Sequence, residues 1–137
     1  MAKIFIEIKP KAAPRPRVTR RGTYNPRDYT DYKSTIALVA KQKFTKKDTA
    51  LAMQIDFFFK KPKSWSKKKK ENPPYHTFKP DVDNLIKGVK DALNGIAYRD
   101  DAQVVSVHGR KQYADRDGIM IEVAEAYDNL KTAVFKR

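Results

Sequence analysis

The sequence predicts an α+β protein with a two-layer β-α-β-α-β-β order, in which two helices pack on one face of a mixed sheet. Two observations lead to this fold class. Several short segments alternate apolar and polar residues with the period of a strand, and two longer segments repeat apolar residues with the period of a helix. The 137 residues fit one domain, expected over 1–137, with basic loops at about 11–27 and 60–78.

The first strand is predicted at residues 4–8, where isoleucine occupies every second position, and Pro10 ends it. The first helix is predicted to begin at Asn25-Pro26, an N-cap residue followed by proline at the first helical position, and to run to about Phe44. Its Tyr29 and Tyr32 lie on the apolar stripe. We interpret them as core residues in preference to a stacking platform for bases.

The second strand is predicted at residues 51–59, where both faces become apolar toward its end, so we expect it in the centre of the sheet. A second helix is predicted from near Asp83 to Asn94-Gly95, because apolar residues recur there at helical spacing and glycine suits the residue after a helix. Residues 103–113 and 119–123 are predicted to be two further strands, joined by a turn into a hairpin.

The charge of the chain indicates an anionic partner. Thirty Lys and Arg residues against sixteen Asp and Glu residues give a formal net charge of +14, a field that attracts nucleic acid or an anionic membrane. No run approaches the roughly eighteen apolar residues of a membrane span, so we expect nucleic acid as the partner and no membrane. Glu7 interrupts the apolar N-terminus, which argues against a secretory signal and for a cytoplasmic protein.

The residue types restrict the chemistry. Cysteine is absent, which excludes disulfides, thiolate zinc sites and a cysteine nucleophile. The two histidines, His76 and His108, are too few for a histidine-rich metal site. A metal ion would therefore be held mainly by oxygen ligands.

Two basic segments are candidates for contact with DNA. The first combines arginine with rigid proline-rich backbone, and the second places the one tryptophan within a run of lysines. The alternative is a solvated loop for the first segment and a solvated linker for the second. The candidate DNA-binding residues are Arg15, Arg17, Arg20, Arg21, Lys63, Trp65, Lys67, Lys68, Lys69, Lys70 and Lys79.

Aspartates concentrate between residues 79 and 101 of this basic chain. Asp81 and Asp83 flank the start of the second helix, and Asp100-Asp101 follows it. Either pair alone is most simply interpreted as a cap or a turn. Two carboxylate clusters brought together would repel each other unless a cation lay between them, and Mg²⁺ or Mn²⁺ suits such ligands.

A carboxylate site in a cationic protein is suited to phosphodiester hydrolysis, because bound Mg²⁺ can activate water and stabilise the leaving oxygen. Lys87 could offset charge that develops in the transition state. A simpler interpretation is an ordinary salt bridge between Lys87 and Asp83, four residues apart on one helix. The two interpretations are compatible.

Three segments together resemble the signature of the RusA family of Holliday junction resolvases of bacteria and their prophages: Lys79-Pro80-Asp81-Val82-Asp83-Asn84-Leu85-Ile86-Lys87, Asp91-Ala92-Leu93-Asn94-Gly95 and Asp100-Asp101-Ala102-Gln103-Val104. The resemblance implies a homodimeric, Mg²⁺-dependent endonuclease, with Mn²⁺ as a possible substitute, that makes paired cuts in four-way DNA. It also implies metal binding by Asp81, Asp83 and Asp101, a supporting role for Asp100 and a catalytic role for Lys87. We expect a structural role for Asp91.

Three functions are compatible with these residues. The first is a junction-resolving endonuclease in DNA recombination and repair. The second is a non-catalytic basic DNA-binding protein of a prophage recombination module, in which the aspartates only cap and support helices. The third is a metal nuclease that acts on other branched DNA.

Overall fold

The computed structural model describes residues 2–14, 17–19, 22–24 and 27–126, with backbone only for 17–19 and 22–24. The predicted helix start at Asn25-Pro26 lies outside the described residues. The elements in chain order are β1 (Ala2–Ile6), β2 (Arg17–Thr19), β3 (Gly22–Tyr24), α1 (Arg27–Lys43), β4 (Leu51–Lys60), α2 (Lys67–Glu71), α3 (Val82–Leu93), a 3-10 turn (Asp101–Gln103), β5 (Val104–Ala114) and β6 (Gly118–Glu125).

The main sheet has four strands in the order β1-β6-β4-β5. β6 pairs antiparallel with both β1 and β4, whereas β4 pairs parallel with β5. The α+β fold class, the mixed sheet and the central position of β4 are confirmed.

The predicted hairpin of the last two strands is wrong. β4 lies between β5 and β6 and pairs with both, so the loop at residues 115–117 crosses the end of β4. The Asp117 carboxylate accepts the backbone N–H of Lys60 there, at 2.8 Å. The physical reason is burial: β4 is apolar on both faces and is covered best when both of its edges are paired.

The core lies between one face of the sheet and the helices α1 and α3. Alternate residues of β4 and β6 face the buried side chains of both helices, and Ile36, Leu85 and Val89 are fully buried. Tyr29 and Tyr32 are 3% and 2% exposed, which confirms their interpretation as core residues. The two helices on one face are thus confirmed, and α2 is an additional short helix within the second basic loop.

No helix in the described part of the chain is both long and apolar enough to cross a membrane.

Candidate metal centre and nucleic-acid interface

The helix α3 begins at Asp81, whose backbone is extended and whose side chain makes no capping hydrogen bond. Asp is a favoured N-cap because its carboxylate normally accepts a backbone N–H of the first turn. Here the Asp81 carbonyl accepts the N–H of Leu85 at 3.1 Å, and the carboxylate contacts Lys79 instead of the backbone N–H groups of the first turn. The capping interpretation of Asp81 is therefore not realised by its side chain.

The Asp81 carboxylate is paired with a cation. Nζ of Lys79 lies 3.0 Å from Oδ1 and 3.1 Å from Oδ2, and the two side chains are 86% and 49% exposed. An ammonium group so exposed contributes little stability, because water screens the pair. A hard cation can replace it at the same oxygens without breaking any buried contact.

Lys111 on β5 holds the segment that leads to Asp81. Its Nζ donates to the carbonyl oxygens of Phe78 and Pro80, at 2.8 and 2.9 Å. Lys111 was not among the predicted site residues. Lys111 is two residues after Gly109, so both face the same side of β5, and Gly109 lies against Ile86 and Val82 of α3. A lysine on a strand face that packs toward a helix is the one feature of the sequence that could have indicated Lys111.

Further along α3, Lys87 pairs with Asp91 at 4.0 Å, the limit of an ion pair. The predicted salt bridge between Lys87 and Asp83 is not formed, so that interpretation is wrong. Asp83 is exposed and makes no hydrogen bond or ion pair with the described residues. The carboxylate of Asp83 is thus as available for a ligand as that of Asp81.

Asp91 has contacts of its own. It accepts a hydrogen bond from the Tyr29 hydroxyl at 3.3 Å. Burial and the negative charge of Asp91 raise the pKa of Tyr29 well above its usual value, so this tyrosine stays a donor. These contacts join α3 to α1 and fit the structural role expected for Asp91.

The loop after α3 folds back on the helix. Gly95 has φ of 81°, the left-handed backbone that favours glycine, and Tyr98 is fully buried beneath it. The Tyr98 hydroxyl donates to the carbonyl of Lys90 at 2.6 Å. Burial raises the pKa of Tyr98, and the charges of Asp101, Asp91 and Asp100 raise it further. Asp100-Asp101 is therefore placed beside the last turn of α3.

Asp100 caps the 3-10 turn. Its side chain accepts the N–H of Ala102, and the Gln103 side chain accepts the N–H of Asp100 in return, which forms a capping box. The Asp101 side chain makes no hydrogen bond with the described residues. Of this pair, Asp101 has the carboxylate that is free for a ligand.

Within one chain, the two aspartate pairs lie toward opposite ends of α3. Asp81 precedes α3 and Asp101 lies near its last turn, and a helix of 12 residues is about 18 Å long. Among the described residues, no group of three or more acidic, histidine or cysteine side chains is arranged to hold a metal ion. The ligand set Asp81, Asp83 and Asp101 stays a prediction.

The first basic segment starts beside the acidic end of α3. The N–H of Ala13 donates to the carbonyl of Asn84 at 3.1 Å, and the carbonyl of Lys11 lies against Gly88. The strands β2 and β3 of this segment then pair antiparallel. Arg15, Arg20 and Arg21 lie outside the described residues, as does the side chain of Arg17.

The second basic segment contains α2, which was not predicted. Ser66 caps it by accepting the N–H of Lys69, and Trp65 packs its ring edge on Tyr113 at 4.7 Å between ring centres. Nζ of Lys69 lies 4.5 Å from the centre of the Trp65 ring. Lys63, Lys67, Lys68 and Lys69 are exposed and Lys70 is partly buried. Trp65 is thus anchored by protein contacts, which the sequence did not show.

Comparison with known proteins decides the family. The family model of the endodeoxyribonuclease RusA matches residues 7–124. The chain belongs to the RusA endodeoxyribonuclease family. This confirms the resemblance drawn from the three motif segments, and the match includes both basic segments and all the candidate aspartates.

Two known proteins align with most of this chain, and the second carries a RusA name. An uncharacterized protein of Bacillus subtilis (strain 168), YqaN, is 38% identical over 137 aligned residues, covering 90% of this chain and 95% of that protein. The crossover junction endodeoxyribonuclease rusA of Lactococcus phage r1t is 29% identical over 107 residues, covering 77% of this chain and 75% of that protein.

Proposed function

We propose that this RusA-family protein resolves four-way DNA junctions by paired, Mg²⁺-dependent cleavage of phosphodiester bonds, in DNA recombination and repair. The observation that carries the proposal is the start of α3, where the Asp81 carboxylate makes no capping bond and contacts only the exposed Lys79, and Asp83 makes no hydrogen bond with the described residues. Exposed carboxylates without a capping role, in a chain of net charge +14, are available to bind a cation beside a DNA phosphate.

The residues present fit a hard divalent cation. Asp81 and Asp83 offer oxygen ligands, and Lys79 already places a positive group at both Asp81 oxygens. Bound Mg²⁺, or Mn²⁺ in its place, would supply water activation and stabilisation of negative charge. Lys111 orients Asp81 through the carbonyls of Phe78 and Pro80. Lys87, 63% exposed, can turn from Asp91 toward a phosphate.

We further propose that the active form is a homodimer. Two symmetry-related strands of a junction must be cut, and a two-fold protein presents two sites in the matching relation. The outer edge of β5 is unpaired among the described residues, and Val105 and Val107 on it are 53% and 40% exposed. Such an edge invites pairing with a second copy.

Antiparallel pairing of two β5 strands would also change the distance between the aspartates at the two ends of α3. β5 begins beside Asp101 and passes Lys111, which contacts the segment before Asp81. A two-fold axis near the middle of β5 would therefore bring Asp101 of one copy toward Asp81 of the other. In such a dimer, all three aspartates would share one site.

Cleavage of a synthetic four-way junction in Mg²⁺ tests the function. We expect the wild type to cut the junction in symmetry-related pairs of strands and to leave a linear duplex of the same sequence intact, whereas Asp81→Asn binds the junction without cutting it. Flaps and replication forks belong in the same panel, because equal cutting of all branched substrates would favour a broader nuclease.

Metal binding separates the nuclease from a non-catalytic DNA-binding protein. We expect saturable Mn²⁺ binding by the wild type and its loss in Asp83→Asn, measured by calorimetry or electron paramagnetic resonance. Junction binding with a steep salt dependence but without any Mn²⁺ binding or cleavage would support the non-catalytic function instead.

We also propose a role in recombination of a prophage, within the cytoplasm of the host cell; the similarity to a phage protein supports the prophage role. Finding the coding gene among recombination genes of an integrated phage would support this proposal, and a position among unrelated chromosomal genes would count against it.

A further inference from the structure

A cleft of about 360 Å³ lies next to the segment that leads into α3. Three lysines from three separate parts of the chain line it: Lys9 follows β1, Lys60 ends β4, and Lys79 precedes Asp81. Only Lys79 was among the predicted DNA-binding residues. The convergence of lysines from distant positions could not be seen from the sequence.

The cleft carries an excess of positive charge. Within the described residues, Lys9 and Lys60 form no ion pair, and Lys79 pairs only with Asp81. Asp117 is the one carboxylate of the lining, and it is already engaged by the backbone N–H of Lys60. Like charges that face one cleft repel each other, so binding of an anion between them is favourable.

The remaining walls point to a phosphate and not to a base as the ligand. The His76 ring stacks on Phe59 at 4.2 Å between ring centres and contacts Tyr113 at 4.9 Å, and Trp65 also packs against Tyr113, at 4.7 Å. These aromatic surfaces are largely used by each other. Burial and the nearby charge of Lys111 lower the pKa of His76, so the positive charge of the cleft comes from its lysines.

We propose that this cleft binds a backbone phosphate of the DNA strand whose neighbouring phosphate faces Asp81. The inference rests on the proposed function, because Lys79 and Pro80 line the cleft and Asp81 follows them directly. A strand held by Lys9 and Lys60 would reach the carboxylates at a fixed distance along the backbone. The cleft thus positions the bond to be cut without reading the base sequence.

Salt-dependent binding of a four-way junction, measured in EDTA, tests the proposal without any cleavage. The double variant Lys9→Gln/Lys60→Gln should bind more weakly, and the slope of log affinity against log salt should decrease by about 0.9, the value for one lost phosphate contact. The matched control is Lys41→Gln/Lys46→Gln, which removes the same charge from exposed lysines near the opposite end of β4. Its slope should stay at the wild-type value.

Neutral methylphosphonate linkages locate the contact. Placed singly along the cleaved strand, they should weaken wild-type binding at one or two positions beside the cut and have no further effect in the Lys9→Gln/Lys60→Gln variant. An unchanged slope in this variant, or an equal decrease in the control, would overturn the proposal. Both readouts measure binding alone. A wild type that fails to cut junctions would therefore refute the proposed function, and the binding data would still test the phosphate contact in the cleft.

Discussion

The two ends of α3 use the same residue type in opposite ways. At the N-terminal end, Asp81 occupies the cap position but its side chain makes no capping bond, and Asp83 has no partner among the described residues. At the other end, Asp100 forms a complete capping box and Asp91 accepts from Tyr29. Asp100 and Asp91 are therefore engaged in the fold, whereas Asp81 and Asp83 are available to a ligand.

This difference indicates which aspartates contribute to stability and which are available for function, and the sequence pattern does not make that distinction. A carboxylate that accepts backbone N–H groups contributes about 1 kcal/mol to the free energy of unfolding, so its removal destabilises the protein. Removal of an exposed carboxylate without such bonds changes the free energy of unfolding very little. Its removal affects ligand binding or catalysis if the carboxylate belongs to a functional site.

The largest effect is expected at the N-terminal end. Asp81→Asn and Asp83→Asn should each reduce single-turnover cleavage of a four-way junction by more than about 100-fold, since even outer-shell partners of metal ligands are worth 10- to 100-fold. The free energy of unfolding, measured with urea, should change by less than about 0.5 kcal/mol.

Normal cleavage by either variant would contradict this prediction and would show that the substituted aspartate is not a metal ligand. A variant that is inactive because it is strongly destabilised would also contradict the contrast between the two ends of the helix.

The next effect concerns the middle of α3. Lys87→Gln should slow junction cleavage by about tenfold, less than for a buried donor, because the Lys87 side chain is 63% exposed and water screens its charge. Asp91→Asn removes a charge from the same helix and serves as the matched control. We expect cleavage by Asp91→Asn within about twofold of the wild type; an equal loss in both variants would assign Asp91 to the site.

At the C-terminal end, Tyr98→Phe should lower the free energy of unfolding at neutral pH by about 1 kcal/mol, because the Lys90 carbonyl loses its buried donor. The hydroxyl also makes stability depend on alkaline pH. The folded pKa of Tyr98 is raised and burial raises the pKa of Tyr32 to about 12, so the stability they confer is complete below pH about 10 and declines above it.

Urea unfolding from pH 8 to 11.5 measures this dependence. The decline above pH 10 should be shallower in Tyr98→Phe than in the wild type, while Thr35→Ala, an exposed change on α1, should keep the wild-type slope. Parallel curves for wild type and Tyr98→Phe would mean that Tyr98 does not hold its proton more tightly in the folded state.

The smallest effect is expected for Asp100. Asp100→Ala should lower the free energy of unfolding by about 0.5 kcal/mol, the low end for a lost cap, because the 3-10 turn is short and exposed. Asp100→Asn keeps a capping acceptor and should retain wild-type stability. Loss of cleavage in a stable Asp100→Asn would show that the charge of Asp100 supports the metal site as well as the turn.

Much of the fold was predictable because local patterns agreed with burial. The alternation in β4 and the apolar stripe of α3 specify which faces are covered, and Gly95 marks the left-handed end of the helix. The partner of β5 was not predictable. A turn between two strands suggests a hairpin, but the doubly apolar β4 pairs with both and separates them.

The sequence by itself determined the family, the basic character of the chain and the set of candidate aspartates, because these depend only on residue types and spacing. The tertiary structure decided which aspartates are free and which are held, through the capping box of Asp100 and the burial of Tyr98. It also decided that Lys9, Lys60 and Lys79 meet in one cleft. Such contacts join residues that are far apart in the sequence, so they depend on the sheet topology, and no local sequence pattern predicts them.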